Sequence, residues 1–300
     1  MKKSEYKGHF GVDIGGTTIT SGLFQSGSSE PIEIDTDRRA EFSTPAKWLE
    51  QGAPSRWDTR NLPWVLGIPG TIRNQKEIGK TPNLSGAWEG SRLTSALEEK
   101  GLAFTLENDA NLAALGESEY GAGKDVDHLI LLTLGTGIGG GIIINKNLYR
   151  GSSGLASEIG HVVLEPGGRV CGCGDVGCFE QYGSATGLQK TYEKLGGELR
   201  DAHEIVQRAG KDVLAEEAVR QTGWALGRGI AKLVNLLEPE LILFSGGLSR
   251  SLDLLRPAIR EAFNDHLFVE EARGIPLHRT SGDHSALMGT LRFLLDHSFL

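Results

Sequence analysis

Cysteine is scarce in this chain of 300 residues: Cys171, Cys173 and Cys178 are the whole supply, and all fall in one short stretch. An odd, clustered set does not build a disulfide framework and points to a reducing compartment, so a cytoplasmic location is expected. Positive charge is also short. The 31 Lys and Arg against 39 Asp and Glu leave a formal net charge of -8, with no run of basic residues. A general nucleic-acid binder carries a basic face, so no nucleic-acid partner is expected. Apolar runs stop short of the roughly 18 residues that a membrane helix needs, which argues against a membrane role. The opening MKKSEYKGHF has lysines but no apolar stretch behind them, so it is not read as a signal peptide. No G-x-x-x-x-G-K-[ST] occurs, which excludes a P-loop. Glycine, by contrast, is plentiful at 42 residues, and its placement carries much of the reading that follows.

Strand and helix patterns alternate along the chain. HFGVDIGGTTITSGLF reads as a hairpin folded about Gly15 and Gly16. Residues 26 to 60 give a poor signal, with AKWLEQ the one plausible helical stretch. LPWVLGIPG reads as a buried strand, SRLTSALEEKG as a helix with Ser91 as N-cap and Gly101 as stop, and FTLEND as a short strand before an alanine-rich helix. The pattern then restarts. HLILLTLGTGIGGGIIINKNLYRG repeats strand, glycine turn and strand, and three helices, the strand ELILFSGGLS and two more helices follow. Two glycine turns joining strand to strand suggest mixed α/β with two related halves.

GTGIGG, residues 135 to 140, satisfies G-x-G-x-x-G. A dinucleotide-binding loop must open a helix, yet Ile142, Ile143 and Ile144 follow, and consecutive β-branched residues form a strand. The Rossmann reading therefore fails. Such turns can still bring bare backbone N–H groups against an anion. Two of them, DIGGTT and LGTGIGGG, each carry threonine hydroxyls, which favours phosphate binding over a pair of ordinary hairpins. Asp13, at the head of the first, is placed to hold hydrated Mg²⁺ beside a polyphosphate, or simply to cap the turn.

LENDANLAALGE sets Asp109 at a strand-to-helix junction. There it serves equally well as a helix cap or as the carboxylate that accepts a proton in phosphoryl transfer. C-x-C-x4-C supplies three thiolates to a turn-rich segment, and tetrahedral zinc needs a fourth ligand. His161, in SEIGHVV, is the nearest histidine. Zinc is favoured over a redox pair, which would take C-x-x-C spacing, and over three unrelated buried cysteines.

Taken in order, GVDIGGTT, GIPG, TPNLSG, ENDAN, LGTGIGGGIIINKNLYRG, GLASEIGHV, CGCGDVGCFEQYGS and LFSGGLS resemble the ROK family of sugar kinases and repressors. The resemblance implies an actin-like ATPase (ribonuclease H-like) α/β fold, two lobes around a central cleft that holds sugar and ATP. It implies a smaller lobe over residues 1–112, joined by a C-terminal helix at 285–300, and a larger lobe over 113–284. It implies Asp109 as catalytic base, and Asn83, Asn108, Glu158, His161 and Glu180 as sugar contacts. The loop of Asp13, Gly15, Gly16, Thr17 and Thr18, and that of Gly135, Thr136, Gly137, Gly139 and Gly140, would hold phosphates, with Gly246 and Gly247 near the nucleoside. His161, Cys171, Cys173 and Cys178 would bind structural Zn²⁺, and ATP with Mg²⁺ would be the donor.

The expected activity is an ATP-dependent hexose kinase, with glucose the favoured acceptor and a homodimer the expected assembly. N-acetylglucosamine, N-acetylmannosamine, fructose or mannose are alternative acceptors, and polyphosphate an alternative donor. A sugar-sensing repressor is the alternative from another class, disfavoured because only ten residues precede the first hairpin. Two departures from the family pattern stand out: a shortened helical region at 45–61, and one extra residue in NLSGAWEG before Trp88.

Overall fold

The computed structural model describes residues 8–25, 28–81, 84, 88, 90–282 and 284–296. β1 (Gly8–Ile14) and β2 (Thr18–Gln25) form the expected hairpin, with Ile14 opposite Ile19 and the Gly15 N–H donating to the Thr18 carbonyl at 2.8 Å. β3 (Pro31–Arg38), in the region of poor signal, then pairs antiparallel with β2. It lies at the sheet edge with most side chains in solvent, so no apolar face stamped a period of two on its sequence. α1 (Pro45–Gln51) is the short helix anticipated at AKWLEQ. Thr44 caps it by accepting from the Lys47 N–H, and Pro45 opens it.

β4 (Trp64–Ile68) runs parallel to β1, β5 (Ile72–Arg73) and β6 (Glu77–Ile78) make a separate small ribbon, and α2 (Gly90–Glu99) follows. The helix begins at Gly90, so Ser91 lies inside its first turn and is not the N-cap. β7 (Phe104–Asn108) completes a five-stranded sheet in the order β3-β2-β1-β4-β7. Phe10, Val12, Ile14, Trp48, Trp64 and Leu66 form its fully buried core. Of the departures from the family pattern, Trp88 is buried with its indole N–H on the Phe42 carbonyl, whereas Ser85, Gly86, Ala87 and Glu89 lie outside the described residues.

After α3 (Asp109–Tyr120), the chain lays down β8 (Leu129–Leu134), β9 (Ile138–Ile144) and β10 (Asn147–Leu148). The helices α4 (Glu180–Gly183), α5 (Ala185–Lys194), α6 (Ala202–Arg208) and α7 (Val213–Leu237) come next. β11 (Leu241–Ser245), α8 (Leu252–His266), β12 (Leu277–Arg279) and α9 (Ser285–Asp296) close the chain. The second sheet has the order β10-β9-β8-β11-β12, with β8, β11 and β12 parallel. Its plan repeats that of the first: a meander of three strands, then two parallel strands added beside the first strand of the meander. The two related halves anticipated from the glycine hairpins are these two sheets.

Two compact units result. One holds residues 1–125, 141–156 and 281–300, the other 126–140 and 157–280. The division after Asp125, rather than after residue 112, keeps α3 whole, because α3 packs along α9. A Cβ on Gly116 would meet the Ser285 carbonyl oxygen at 2.0 Å, and one on Gly289 the Leu112 carbonyl oxygen at 1.8 Å, so glycine at both positions lets the two helix backbones touch. Glu117, buried on α3, tightens the same pairing by accepting from the Ser281 N–H and the Ser285 hydroxyl. No helix among the described residues is long and apolar enough to cross a membrane.

Candidate active site and metal centre

In the first unit, the carboxyl ends of three parallel strands bring the acidic residues together. Gly67 on β4 lies opposite Asp13 on β1 and Glu107 on β7, and Ile68 opposite Asn108. A Cβ on Gly67 would stand 3.4 Å from Asp13 Oδ1 and 3.6 Å from Asp109 Cα. Open α/β sheets bind ligands at such strand ends. Of the two roles open to Asp109, the cap position falls to its neighbour, although Asp109 Oδ1 also accepts from the Ala110 N–H. Asn108 is the N-cap, its Oδ1 accepting from the Ala110 N–H at 2.9 Å and the Asn111 N–H at 3.1 Å, while its amide donates to the Gly70 carbonyl. Asp109 is the first residue of α3 and is partly exposed.

Burial, and next the charge of Asp109, push the Asp13 carboxyl up to about 7. Two carboxylates held together at one strand end suit a bound cation, which would lower the energy of both. Without one, the raised value works against the fold. Between about 4 and 7 the folded protein holds a proton on Asp13 that the unfolded chain has released, so its contribution to stability falls as pH rises through that window and stays low above pH about 7. At roughly 1.4 kcal/mol per pH unit this amounts to a few kcal/mol. Asp13→Asn is therefore expected to raise the melting temperature at pH 8 in magnesium-free buffer, and to raise it much less at pH 5, by differential scanning fluorimetry at both values. An equal gain at both would refute the assignment.

The turn after β1 is held by a residue that sequence reading passed over. Arg39 donates through Nε and Nη2 to the Gly16 carbonyl, and its own N–H donates to the Thr17 carbonyl at 2.8 Å. Gly16, Thr17 and Thr18 remain exposed. Arg39 sits in the weak-signal stretch, and only the β2–β3 pairing carries it to the turn.

Glu107 was also missed as more than a neighbour of Asp109. It is fully buried, its Oε1 accepts from the Asn108 N–H and the Asn111 amide, and its Oε2 lies 2.8 Å from Arg150 Nε. The carboxylate thus ties both ends of the junction that presents Asp109, and Arg150 supplies a countercharge from a segment forty residues away. Breaking a buried pair by removing one partner costs about 3–5 kcal/mol. Arg150→Met should lose stability of that order in urea titrations; a loss below about 1 kcal/mol, the range of an exposed pair, would show that the pair is not structural.

In the second unit the Gly135–Gly140 loop closes on itself and on α5. The Gly139 N–H donates to Thr133 Oγ1, the Gly135 N–H to the Gly137 carbonyl, and Gly135 accepts from the Ala185 N–H. Gly140 is buried against Ile159, while Thr136 is exposed. A Cβ on Gly137 would reach Glu180 Oε2 at 2.4 Å, so that glycine is what admits the carboxylate. Gly246, at φ 83, adopts a left-handed conformation beside the Leu134 backbone and, with Gly247, exposes main chain next to the same loop.

The cysteine segment folds as the spacing suggested. One ligand atom each from His161, Cys171, Cys173 and Cys178 lies within 4.8 Å of every other. The Cys173 and Cys178 sulfurs are 3.6 Å apart, and Cys171 Sγ is 3.7 Å from His161 Nδ1. Zinc–sulfur bonds of about 2.3 Å give tetrahedral edges of about 3.7 Å, so this donor set fits the ion. Burial pushes the Cys171 thiol up and the Cys178 thiol up to about 12, a cost that a bound cation removes by taking the thiolates as ligands. Around the set, His161 Nε2 lies 3.9 Å from Glu158 Oε2 and His161 Nδ1 lies 4.0 Å from Glu180 Oε1, while the Cys171 thiol donates to Glu180 at 3.0 Å. Burial, ahead of an opposing pull from His161, raises the Glu158 carboxyl. Glu158, His161 and Glu180 are thus gathered at one place, and Asp13, Asn108 and Asp109 at another. Asn83 lies outside the described residues.

Known proteins resemble this chain in sequence and in fold. The chain is 34% identical over 277 residues to a glucokinase of Thermotoga maritima, covering 86% of this chain and 87% of that one. It is 30% identical over 233 residues to the xylose repressor of Bacillus subtilis, covering 77% of this chain and 60% of the repressor. A crystal structure of a ROK family glucokinase from Streptomyces griseus in complex with glucose and AMPPNP matches with a TM-score of 0.80 at 29% identity, covering 97% of this chain and all of that one. This glucokinase and a ROK hexokinase from Thermus thermophilus, at 28% identity and a TM-score of 0.80, are sugar kinases of the actin-like ATPase fold, which is the α/β fold of this chain. With residues 9–297 matching the family as a whole, the chain belongs to the ROK family.

Proposed function

We propose that this protein is an ATP-dependent hexose kinase that transfers the γ-phosphoryl group of ATP to the 6-hydroxyl of glucose. The observation that carries the reading is the division of labour at the β7–α3 junction: Asn108 caps the helix, and Asp109 keeps a partly exposed carboxylate beside Asp13. Glucokinase relatives at this level of identity, one of them solved with glucose and AMPPNP, support the choice of acceptor and donor. In the proposed reaction Asp109 takes the proton of the sugar hydroxyl. The hydroxyl oxygen bonds to the γ-phosphorus as the bond to the β–γ bridging oxygen breaks and ADP departs. Phosphoryl transfer of this kind depends mainly on positioning and on stabilising charge.

Asn83, Asn108, Glu158, His161 and Glu180 are proposed to bind the sugar. The exposed turn at Gly16, Thr17 and Thr18 and the loop around Thr136 and Gly137 are proposed for the phosphates, with Gly246 and Gly247 near the nucleoside. Asp13 would hold Mg²⁺, which supplies charge neutralisation along the polyphosphate. His161, Cys171, Cys173 and Cys178 would hold Zn²⁺, which supplies a rigid frame for Glu158 and Glu180. A homodimer is proposed as the assembly, to be checked by light scattering.

A coupled ADP-release assay over glucose, mannose, fructose, N-acetylglucosamine and N-acetylmannosamine tests the reading. Glucose should give the highest kcat/KM. The match to a xylose repressor supports a competing reading, sugar binding without transfer, and binding of a hexose with no ADP release from any of the five would favour it. Release with another hexose above glucose would keep the kinase and change its substrate.

A further inference from the structure

Arg169 is a guanidinium without a countercharge among the described residues. It is partly buried. Its Nη1 donates to the carbonyls of Gln181 at 2.6 Å and Gly187 at 3.1 Å, its Nη2 donates to Thr191 Oγ1 at 2.9 Å, and the cation lies 4.7 Å from the centre of the Tyr182 ring. All these partners are neutral. Charges withdrawn from water are normally paired, so the missing partner is a feature to be explained. These contacts leave two of the five guanidinium N–H groups unspent.

Arg169 lines a pocket of about 570 Å³ within the second unit. Lys194 lines it too, one turn along α5 from Thr191, and has no ion pair or hydrogen bond among the described residues. Trp224 and Arg228 project from one side of α7, and Glu165 and Glu261 complete the acidic part of the wall. Arg228 is already neutralised by Glu165. Two unneutralised cations therefore share one mouth in a chain whose formal net charge is -8. Phosphate answers the cations, an indole face suits the apolar side of a sugar ring, and carboxylates accept from sugar hydroxyls.

We propose that this pocket binds a phosphorylated sugar, with its phosphate between Arg169 and Lys194, its ring against Trp224 and its hydroxyls toward Glu165 and Glu261. None of these residues belongs to the proposed hexose or ATP sites, and the binding requires no turnover. The test is calorimetric titration of the full chain with glucose 6-phosphate, inorganic phosphate and glucose. It compares wild type with Lys194→Glu, an exposed substitution that leaves Arg169 and its anchoring bonds in place, and with Trp224→Leu. Glucose 6-phosphate should bind the wild type, and Lys194→Glu should weaken it by about tenfold or more, the loss of one charge-assisted contact. Trp224→Leu should weaken glucose 6-phosphate and leave inorganic phosphate unchanged. Equal affinity of wild type and a folded Lys194→Glu for glucose 6-phosphate would place that ligand elsewhere and overturn the proposal, as would absence of binding at millimolar concentration.

Discussion

Asp109→Asn is expected to lower kcat by about 10³-fold while glucose still binds within a few-fold of its normal Kd. Loss of a general base costs about 10²- to 10⁴-fold, and the size here rests on how little else at the junction changes. Asparagine has the same shape and keeps an oxygen for the Ala110 N–H, which Asp109 Oδ1 now accepts at 2.9 Å. Helix capping belongs to Asn108 and survives intact. The substitution also removes the charge that helps to raise Asp13, so the folded state should lose no stability above pH 7. Turnover by ADP release and glucose binding by calorimetry give the two numbers. Near-normal turnover would remove Asp109 from the base role. A Kd for glucose that worsens in step with kcat would make it a binding group instead.

Removal of the proposed zinc is expected to act on both stability and sugar affinity. Four ligand atoms within 4.8 Å of one another are held by a segment rich in glycine turns, and with no ion the Cys171 and Cys178 thiols stay raised by burial. Closed zinc sites contribute folding energy directly. At about 2–4 °C per kcal/mol for a domain of 150–250 residues, a loss of several kcal/mol lowers the melting temperature by about 10 °C or more. His161 is both a candidate ligand and the neighbour of Glu158 and Glu180, so its release should raise the glucose KM by about tenfold or more, the scale seen when support around a metal site is lost. Cys178→Ser, with zinc measured by mass spectrometry, gives the same comparison without a chelator. A demonstrably zinc-free protein with unchanged KM and melting temperature would sever the link between the cysteine segment and the sugar.

What could be read from the linear chain is what short-range chemistry writes there. The hairpin about Gly15 and Gly16 shows as β-branched alternation broken by glycine, and the metal set as three thiols at spacings that allow them to meet. The failure of GTGIGG to open a helix shows in the three isoleucines that follow it. Other parts left little trace. β3 has no apolar buried face and so no hydrophobic periodicity, yet it is the strand that brings Arg39 to the Gly16 carbonyl. Arg150 pairs with Glu107 across a separation that no motif spans. Nothing in the order of residues 165 to 261 announces a basic pocket, because its cations come from a loop and two helices that are distant in sequence.

The sequence by itself determined the kinds of element and the residue types at their ends, because hydrophobic period, turn chemistry and capping act over a few neighbouring residues. Only the tertiary structure decided what each of those residues does. Asp109 could have been the cap residue, but that position belongs to Asn108, which leaves the Asp109 carboxylate partly exposed for the role proposed above. Asp13 could have capped its own turn, but parallel pairing of β1, β4 and β7 set it beside Asp109 at one strand end, where two carboxylates raise each other's energy and a cation becomes the natural third member.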